Sequence, residues 1–441
     1  PIVLERGKGA HLWDNAGQKY IDANSSIWTN LHGHNHPKIN RAIRTQLDKV
    51  SHVSALGFAN SPAAKLGERL IRLAKPRTRF PKTEPRLAKV FYSDDGSTAT
   101  EVAIKLAYEH ARRTGRARKP RFLSVDAGYH GDTIGAVSAG HIDMFHKAYS
   151  GMLFKTDKVA SPYCYRCPFN KAKPQRADAR EYRKCNMECV EQVEKKFESR
   201  RKRGSDYAAF IVEPGVQGPA GIIAQPKGWL ARVGAIARAH GTQIIADEVM
   251  TGLGRASTGY FASHAEKIQP DYLCIAKGLT GGYLPMAATL TTQEVFDSFL
   301  GEYDEFKTFF HGHSFTGNPL GAAASLASLD LLESGNTKQK RTSLAANLKS
   351  YSKPLWKLDV VGDIRQSGGV LAVELVEDWK TRKPFDLPKQ VGIRVCNAMA
   401  RRGVLTRPIG NVIVIMPPFC TTQPQVKKIF NTLRDSIKEL K

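Results

Sequence analysis

The run Gln243-Ile244-Ile245-Ala246-Asp247-Glu248 ends on two acids, and about thirty residues later Tyr272-Leu273-Cys274-Ile275-Ala276-Lys277-Gly278 ends on a lysine. Each run is short and almost wholly apolar up to its charged end. That is the pattern of a strand buried on both faces, as in parallel sheets covered by helices. The rhythm extends outward from this pair. Lys89–Ser93, Phe122–Val125 and Ala209–Val212 precede it and Met286–Leu290 follows, all reading as strands of the same kind. Between them, helical spacing recurs. His36-Pro37 opens a helix carrying Ile39, Ile43, Leu47 and Val50, with proline in its first turn. Ser61-Pro62 opens another carrying Leu66, Leu70 and Leu73, and a third, after Asp94-Asp95-Gly96, sets Val102, Leu106 and His110 on one face. Strands alternating with helices give an α/β fold.

Beyond Pro319 a long Ala/Leu helix runs to near Gly335, and the remainder reads as a smaller α+β unit. Val370–Val376 and Val412–Met416 are its strands. Val391, Val395 and Met399 line a helix closed by Gly403, and Val426, Phe430, Leu433 and Ile437 line a terminal amphipathic helix. Ser150–Lys184, rich in Pro, Cys, Lys and Arg, breaks the rhythm and reads as a surface insertion.

Composition narrows the function classes. The 441 residues are 41% hydrophobic and 24% charged, which excludes a disordered chain. No run of about 18 apolar residues exists, so a helical membrane span is excluded. No basic-then-apolar leader is legible from Pro1, so secretion is not expected. Lys+Arg 66 against Asp+Glu 41 gives +25, which raises nucleic-acid binding as a different class of function. Against it, the excess is spread along the chain and no aromatic–basic interleaving appears. The densest cluster, Lys195 to Arg203, follows the pattern of a helix end, where cations suit the dipole. A solvated basic surface that attracts small anionic substrates is the preferred reading. Seven cysteines do not make a disulfide scaffold, and a reducing, cytoplasmic setting is expected. Four of them, Cys164-x2-Cys167 and Cys185-x3-Cys189, have spacings zinc can use. Free thiols on a long insertion give the same pattern, and no metal is assigned.

The chemistry lies at the strand ends. Ligands of α/β proteins bind at the C-terminal ends of the strands. A buried Asp247 needs a cation or several donors, and one such cation is a protonated pyridine nitrogen. A Lys277 of depressed pKa can form a Schiff base. Together these are the two partners that pyridoxal phosphate requires. Asp95-Gly96-Ser97-Thr98 precedes a helix, with Thr98-x-x-Glu101 reading as a capping box, and such a helix start can bind phosphate. Tyr129-His130-Gly131-Asp132 follows a strand and offers an aromatic ring to stack on a pyridine.

Six strings now stand in order: Asp94-Asp95-Gly96-Ser97, Tyr129-His130-Gly131-Asp132, Glu213-Pro214-x-x-Gln217-Gly218, Asp247-Glu248-Val249-x-Thr251-Gly252-x-Gly254-Arg255, Ala276-Lys277-Gly278-Leu279-Thr280-Gly281-Gly282 and His311-Gly312-His313-Ser314-Phe315-Thr316-Gly317-Asn318-Pro319. From about Leu12 to the C-terminus the chain resembles the class III, fold type I pyridoxal-phosphate aminotransferases. The resemblance implies a large domain built on a mostly parallel seven-stranded sheet and a smaller α+β domain. It divides the chain into 1–50 (N-terminal part of the small domain), 51–325 (large cofactor-binding domain, with an insertion at about 150–190) and 326–441 (C-terminal small domain). It also implies a homodimer with shared active sites.

The resemblance assigns roles as well. Lys277 forms the Schiff base and moves the proton, Asp247 keeps the pyridine nitrogen protonated, and Tyr129 stacks on the ring. Gly96 and Ser97 donate to the phosphate, Ser314 reaches the phosphate of the neighbouring subunit, and Glu213 lies near the ring. Arg407 holds a substrate carboxylate, Trp28 walls its apolar chain, and Arg255 is either a substrate contact or a structural ion-pair partner. Asn24-Ser25-Ser26-Ile27-Trp28-x-x-Leu31-His32-Gly33-His34, Gly128–Val137, Thr280–Thr292, His311–Pro319 and Arg407-Pro408 with Met416-Pro417-Pro418 point within the family to the branch that aminates 8-amino-7-oxononanoate to 7,8-diaminononanoate in biotin synthesis. Ornithine, 4-aminobutyrate or another ω-amino acid would be handled by the same cofactor residues. Members that use S-adenosylmethionine often carry two consecutive tryptophans where this chain has Ile27-Trp28, and Pro-Thr where it has His313-Ser314. Some relatives with an aliphatic residue before the tryptophan use lysine.

Overall fold

The computed structural model describes residues 2–76, 84–117 and 119–440. Seven strands form the central sheet: β1 (Leu87–Ser93), β2 (Arg121–Val125), β3 (Asp157–Val159), β4 (Tyr207–Val212), β5 (Gln243–Asp247), β6 (Tyr272–Ile275) and β7 (Ala287–Thr292). Their spatial order is β1-β7-β6-β5-β4-β2-β3, and only β7 runs against its neighbours β1 and β6. The sheet is thus mostly parallel, as expected.

Helices cover both faces. The helix α1 (Gly96–Arg113) buries Ala99, Val102, Leu106 and Ala107 on one face, against Phe122, Ala209, Ile211 and Ile245. Helices α2 (Glu188–Lys202) and α3 (Trp229–Ala239) bury Val193, Phe197, Trp229 and Val233 on the other, against Leu123, Phe210, Val212 and Ile244. Successive residues of β4 therefore serve opposite layers, which is why the run has to be apolar throughout.

The two ends of the chain meet in one small sheet. Leu4–Lys8, His11–Asp14 and Lys19–Asp22 form a meander, and its last strand pairs in parallel with Val404–Leu405. A second sheet, built on Val361–Ser367, Val370–Asp378 and Val412–Ile415, is packed against the helices Val391–Arg401 and Gln423–Lys438.

Four expectations need correction. Met286–Leu290 was grouped with the parallel strands, but β7 is antiparallel. Only a short link joins it to β6, and Gly281 and Gly282, at φ 69° and 84°, turn the chain back where a parallel return would need a helical crossover. The insertion Ser150–Lys184 contains β3, the edge strand of the central sheet, too short to show a pattern. The cap of α1 is Asp95 with Thr98, while Glu101 instead accepts from Thr133 and from the amide of Ala136. Leu47 and Val50 are exposed, because the helix Pro37–Leu47 meets its neighbour through Ile39, Ala42 and Ile43.

The insertion is strapped to the C-terminal sheet by arginines. Arg176 donates to the carbonyls of Trp356, Leu358 and Val361, and Arg180 to that of Gln366. Tyr163 and Arg166 both bind Glu374, which also holds the buried Arg365 at 2.7 Å. Arg365 in turn donates to the carbonyls of Gly221 and Ile222. Removing one partner of such a buried set strands the others. Glu374→Ala is expected to lower stability by about 3–5 kcal/mol, read as a shift of the urea midpoint. A double change, Glu374→Leu with Arg365→Met, is expected to lose less than the single one.

Candidate active site

The parallel register of β5 and β6 places Asp247 opposite Cys274, and Lys277 follows two residues past the end of β6, at the start of a 3-10 turn. Acid and amine thus stand at the same end of adjacent strands. Both side chains line one cavity of about 430 Å³, together with Asp94, Asp95, Gly96, Ser97, Tyr129, Glu213 and Met250. Lys277 has φ 36°. A left-handed lysine is sterically unfavourable, and such residues concentrate at functional sites.

Burial shapes the electrostatics. It lowers the pKa of the Lys277 ammonium below the ordinary lysine value, and the nearby charges of Asp247, Glu213, Asp132 and Asp95 do not cancel the effect. Among the described residues no carboxylate pairs with this amine. The Asp247 carboxylate is fixed on both sides: Oδ2 lies 2.7 Å from His130 Nδ1, and Oδ1 accepts from the amide of Val249 at 3.1 Å. Burial also pushes Glu213 up to about 7, although His130 and the amides of Gly218 and Tyr129 favour its charged form.

At the other end of the cavity α1 begins. Its capping residue Asp95 binds the amide of Thr98, leaving those of Gly96 and Ser97 without an acceptor inside the helix. Gly131, at φ 125°, crosses so close that a Cβ there would lie 2.2 Å from Ser97 Oγ. The result is an anion cradle at one end, a carboxylate at the other and an amine between them. That arrangement fits pyridoxal phosphate: phosphate at the cradle, pyridine nitrogen at Asp247 and aldehyde at Lys277. Tyr129 is half-buried, donates to Asp132 Oδ2 at 2.8 Å and has one face stacked on His146.

Trp28 reaches Lys277 by an unusual route. Ser25, Ser26, Ile27 and Trp28 all have positive φ, between 48° and 71°. Each such residue is disfavoured by roughly 1–2 kcal/mol. The indole centroid ends 5.6 Å from Lys277 Nζ.

Other expected residues lie elsewhere. Ser314 and Arg407 are exposed and outside the cavity lining, although His313 meets Asp94 at 3.5 Å beside it. Arg255 is buried and donates to the carbonyls of Asn30 and Pro417 rather than to a carboxylate. Cys164, Cys167, Cys185 and Cys189 are free thiols, and among the described residues no group of three or more His, Cys, Asp or Glu side chains is placed to hold a metal. Sequence reasoning missed Met250, Val249, Pro219 and Tyr283 as lining residues. None carries a chemical signal, and only the fold gathers them.

The sequence profile of the family described as aminotransferase class-III matches residues 1–437. The chain belongs to the class III aminotransferases. Over 437 residues it is 45% identical to the adenosylmethionine-8-amino-7-oxononanoate aminotransferase of Geobacter sulfurreducens, covering 99% of this chain and 92% of that one. The enzyme of the same name from Aquifex aeolicus is 42% identical, at 100% and 92% coverage. The crystal structure of the Methanocaldococcus jannaschii enzyme of that name superposes with a TM-score of 0.89, at 37% identity, covering 100% of this chain and 93% of that one. A PLP-bound amine transaminase from an uncultivated Pseudomonas species gives 0.89 at 32% identity, with 100% and 95% covered. As in that family, the fold is the α/β arrangement of class III transaminases.

The position of Glu213 makes stability depend on pH. A carboxyl with a folded pKa of about 7 and an ordinary value of 4.5 favours the folded state most when protonated. That contribution is complete below about 4.5 and is lost as pH rises towards 7. In the apoprotein, Glu213→Gln is therefore expected to gain on wild type by about 3 kcal/mol between pH 4.5 and 8, measured as the difference in urea stability at each pH. Parallel curves would show an ordinary carboxyl.

Proposed function

We propose that this chain is a homodimeric pyridoxal-phosphate enzyme that transfers an amino group to 8-amino-7-oxononanoate, giving 7,8-diaminononanoate, with S-adenosylmethionine as donor. The observation that carries the reading is the pairing of Lys277 and Asp247 across one cavity, in a chain whose full-length relatives bear that enzyme's name.

The cofactor, when bound, supplies an aldehyde for amine exchange and a ring that accepts the electron pair left when a proton leaves carbon. The protein does the rest. Asp247, held by His130 and the Val249 amide, keeps a proton on the ring nitrogen. The Lys277 amine, neutral more readily than an exposed lysine, would be the base that takes the proton from carbon and returns it one position away when the cofactor is bound. Gly96 and Ser97 hold the phosphate at the start of α1. Tyr129 covers one ring face. Glu213 stands beside the ring, where a carboxyl of pKa about 7 can answer to the charge of the incoming substrate. Trp28 and Met250 form the apolar wall for the keto acid's chain, and Arg407 receives its carboxylate with a planar fork.

The second copy completes the site. Tyr303, Phe306, Phe310 and Phe315 all project from the segment that carries Ser314, and Leu47, Val50, Leu56 and Phe58 lie exposed as well. Covering such surfaces favours association, and Ser314 then reaches the partner's phosphate.

Lys277→Ala is expected to lose the visible absorbance of the bound cofactor and to slow turnover at least about a thousandfold. In wild type, an amino-donor panel with the 7-keto acid as acceptor tests the substrate: S-adenosylmethionine should support turnover better than lysine. Turnover with 4-aminobutyrate or ornithine but not with this acceptor would move the assignment to another branch of the family.

A further inference from the structure

We propose that Asp22 is a positioning residue for the substrate: its buried carboxylate holds the left-handed turn that sets the Trp28 indole beside Lys277. This rests on the reading above, in which Lys277 and Trp28 face the substrate.

Ser25, Ser26, Ile27 and Trp28 have φ of 48°, 48°, 61° and 71°, and none is glycine. L-residues do not adopt such a run unaided, so its surroundings must impose it. The chief constraint is one side chain. Asp22, 2% exposed, ends the strand Lys19–Asp22, just before the turn. Its Oδ1 accepts from the amide of Asn24 at 3.0 Å. Its Oδ2 accepts from the amide of Ser26 at 3.0 Å and from Ser26 Oγ at 3.3 Å, and lies 2.9 Å from His34 Nε2. One carboxylate thus gathers donors on either side of the bend, a task that needs acceptors on both oxygens.

The turn then delivers the indole. Trp28 Nε1 donates to Asn24 Oδ1 at 2.9 Å, and Ser25 Oγ donates to the Met416 carbonyl at 2.7 Å. A Cβ on Gly218 would lie 3.3 Å from the far edge of the indole. Pinned at Nε1 and hemmed at its edge, the ring stops 5.6 Å from Lys277 Nζ. Asp22 is not among the cavity's lining residues, so it acts on the substrate only through this turn. Asp22 also favours the charged form of Arg255, but that guanidinium hydrogen-bonds to the carbonyls of Asn30 and Pro417, so the hydrogen bonds of the carboxylate go to the turn and to His34.

The test is Asp22→Asn, whose amide cannot accept on both sides, assayed as holoenzyme with the keto acceptor that wild type uses best. KM for the acceptor is expected to rise about tenfold, with kcat and the dissociation constant of pyridoxal phosphate each within about threefold of wild type. Two further variants separate positioning from packing. In a Trp28→Ala background, Asp22→Asn should add less than threefold to KM, since no indole is left to place. Adding Ile27→Gly to Asp22→Asn should bring KM back towards wild type, because glycine takes a positive φ without the clamp. Should Asp22→Asn fail to fold, Asn24→Ala, which removes the indole's acceptor, carries the same expectation for KM. An unchanged KM in a folded variant, an effect that multiplies fully with Trp28→Ala, or a loss confined to cofactor affinity would each overturn the proposal. Failure of wild type to use 8-amino-7-oxononanoate would count against the proposed substrate and leave this comparison of acceptor KM values standing.

Discussion

A half-buried lysine amine with no touching carboxylate among the described residues is the constraint around which the site is organised. Ordinary folding would avoid it, since burial disfavours the ammonium and offers nothing in return. Here the strand order enforces it. β6 delivers Lys277 to the C-terminal edge of the sheet one strand away from Asp247, and the antiparallel return through β7 closes the chain behind it. His130 and the Val249 amide occupy the Asp247 carboxylate from the protein side. Amine and acid are therefore kept near each other yet apart, which is the condition for a ring to be gripped between them.

Much of this was legible because the central sheet leaves no choice of pattern. Strands covered on both faces must be apolar at every position, so β2, β4, β5 and β6 announce themselves, and the charged residue at the end of each of the last two stands out against the run. Lys277, Asp247, Tyr129, Glu213, Gly96, Ser97 and Trp28 were all legible before any coordinates. Trp28, outside the cavity lining itself, sits 5.6 Å from the Lys277 amine, and the others meet at one cavity. What could not be read is what depends on direction or on distant partners. The reversal of β7 hangs on two glycine torsions, and β3 has too few residues to show any period. Asp22 carries no motif, and its importance appears only once the turn it holds is seen. Ser314 and Arg407 keep the roles that resemblance gives them as proposals, since a second copy and a bound substrate are what would bring them into play.

The site thus combines two kinds of support. The cofactor end rests on regular structure: strand ends and the first turn of α1, with little strain outside Lys277. The substrate end rests on an irregular turn maintained by side chains from the first and last parts of the chain, which share a small sheet through Val404–Leu405. Chemistry common to the whole family sits on the rigid part. The residues that would choose among substrates sit on the part that single side chains hold in shape, where change is easier without loss of the fold.

The arginine straps bear on the puzzle of the excess positive charge. Arg176 and Arg255 direct guanidinium groups at peptide oxygens, while Arg180 bridges the Asp178 carboxylate and the Gln366 carbonyl. A guanidinium satisfied by carbonyls needs no acid opposite it, so every junction fastened in this way adds a cation to the tally without a matching anion. Peptide oxygens do not ionise and arginine keeps its proton through the biological range. The Arg176 fastening is thus indifferent to acidity, whereas the part of the joint that runs through Glu374 and Asp178 depends on carboxylates.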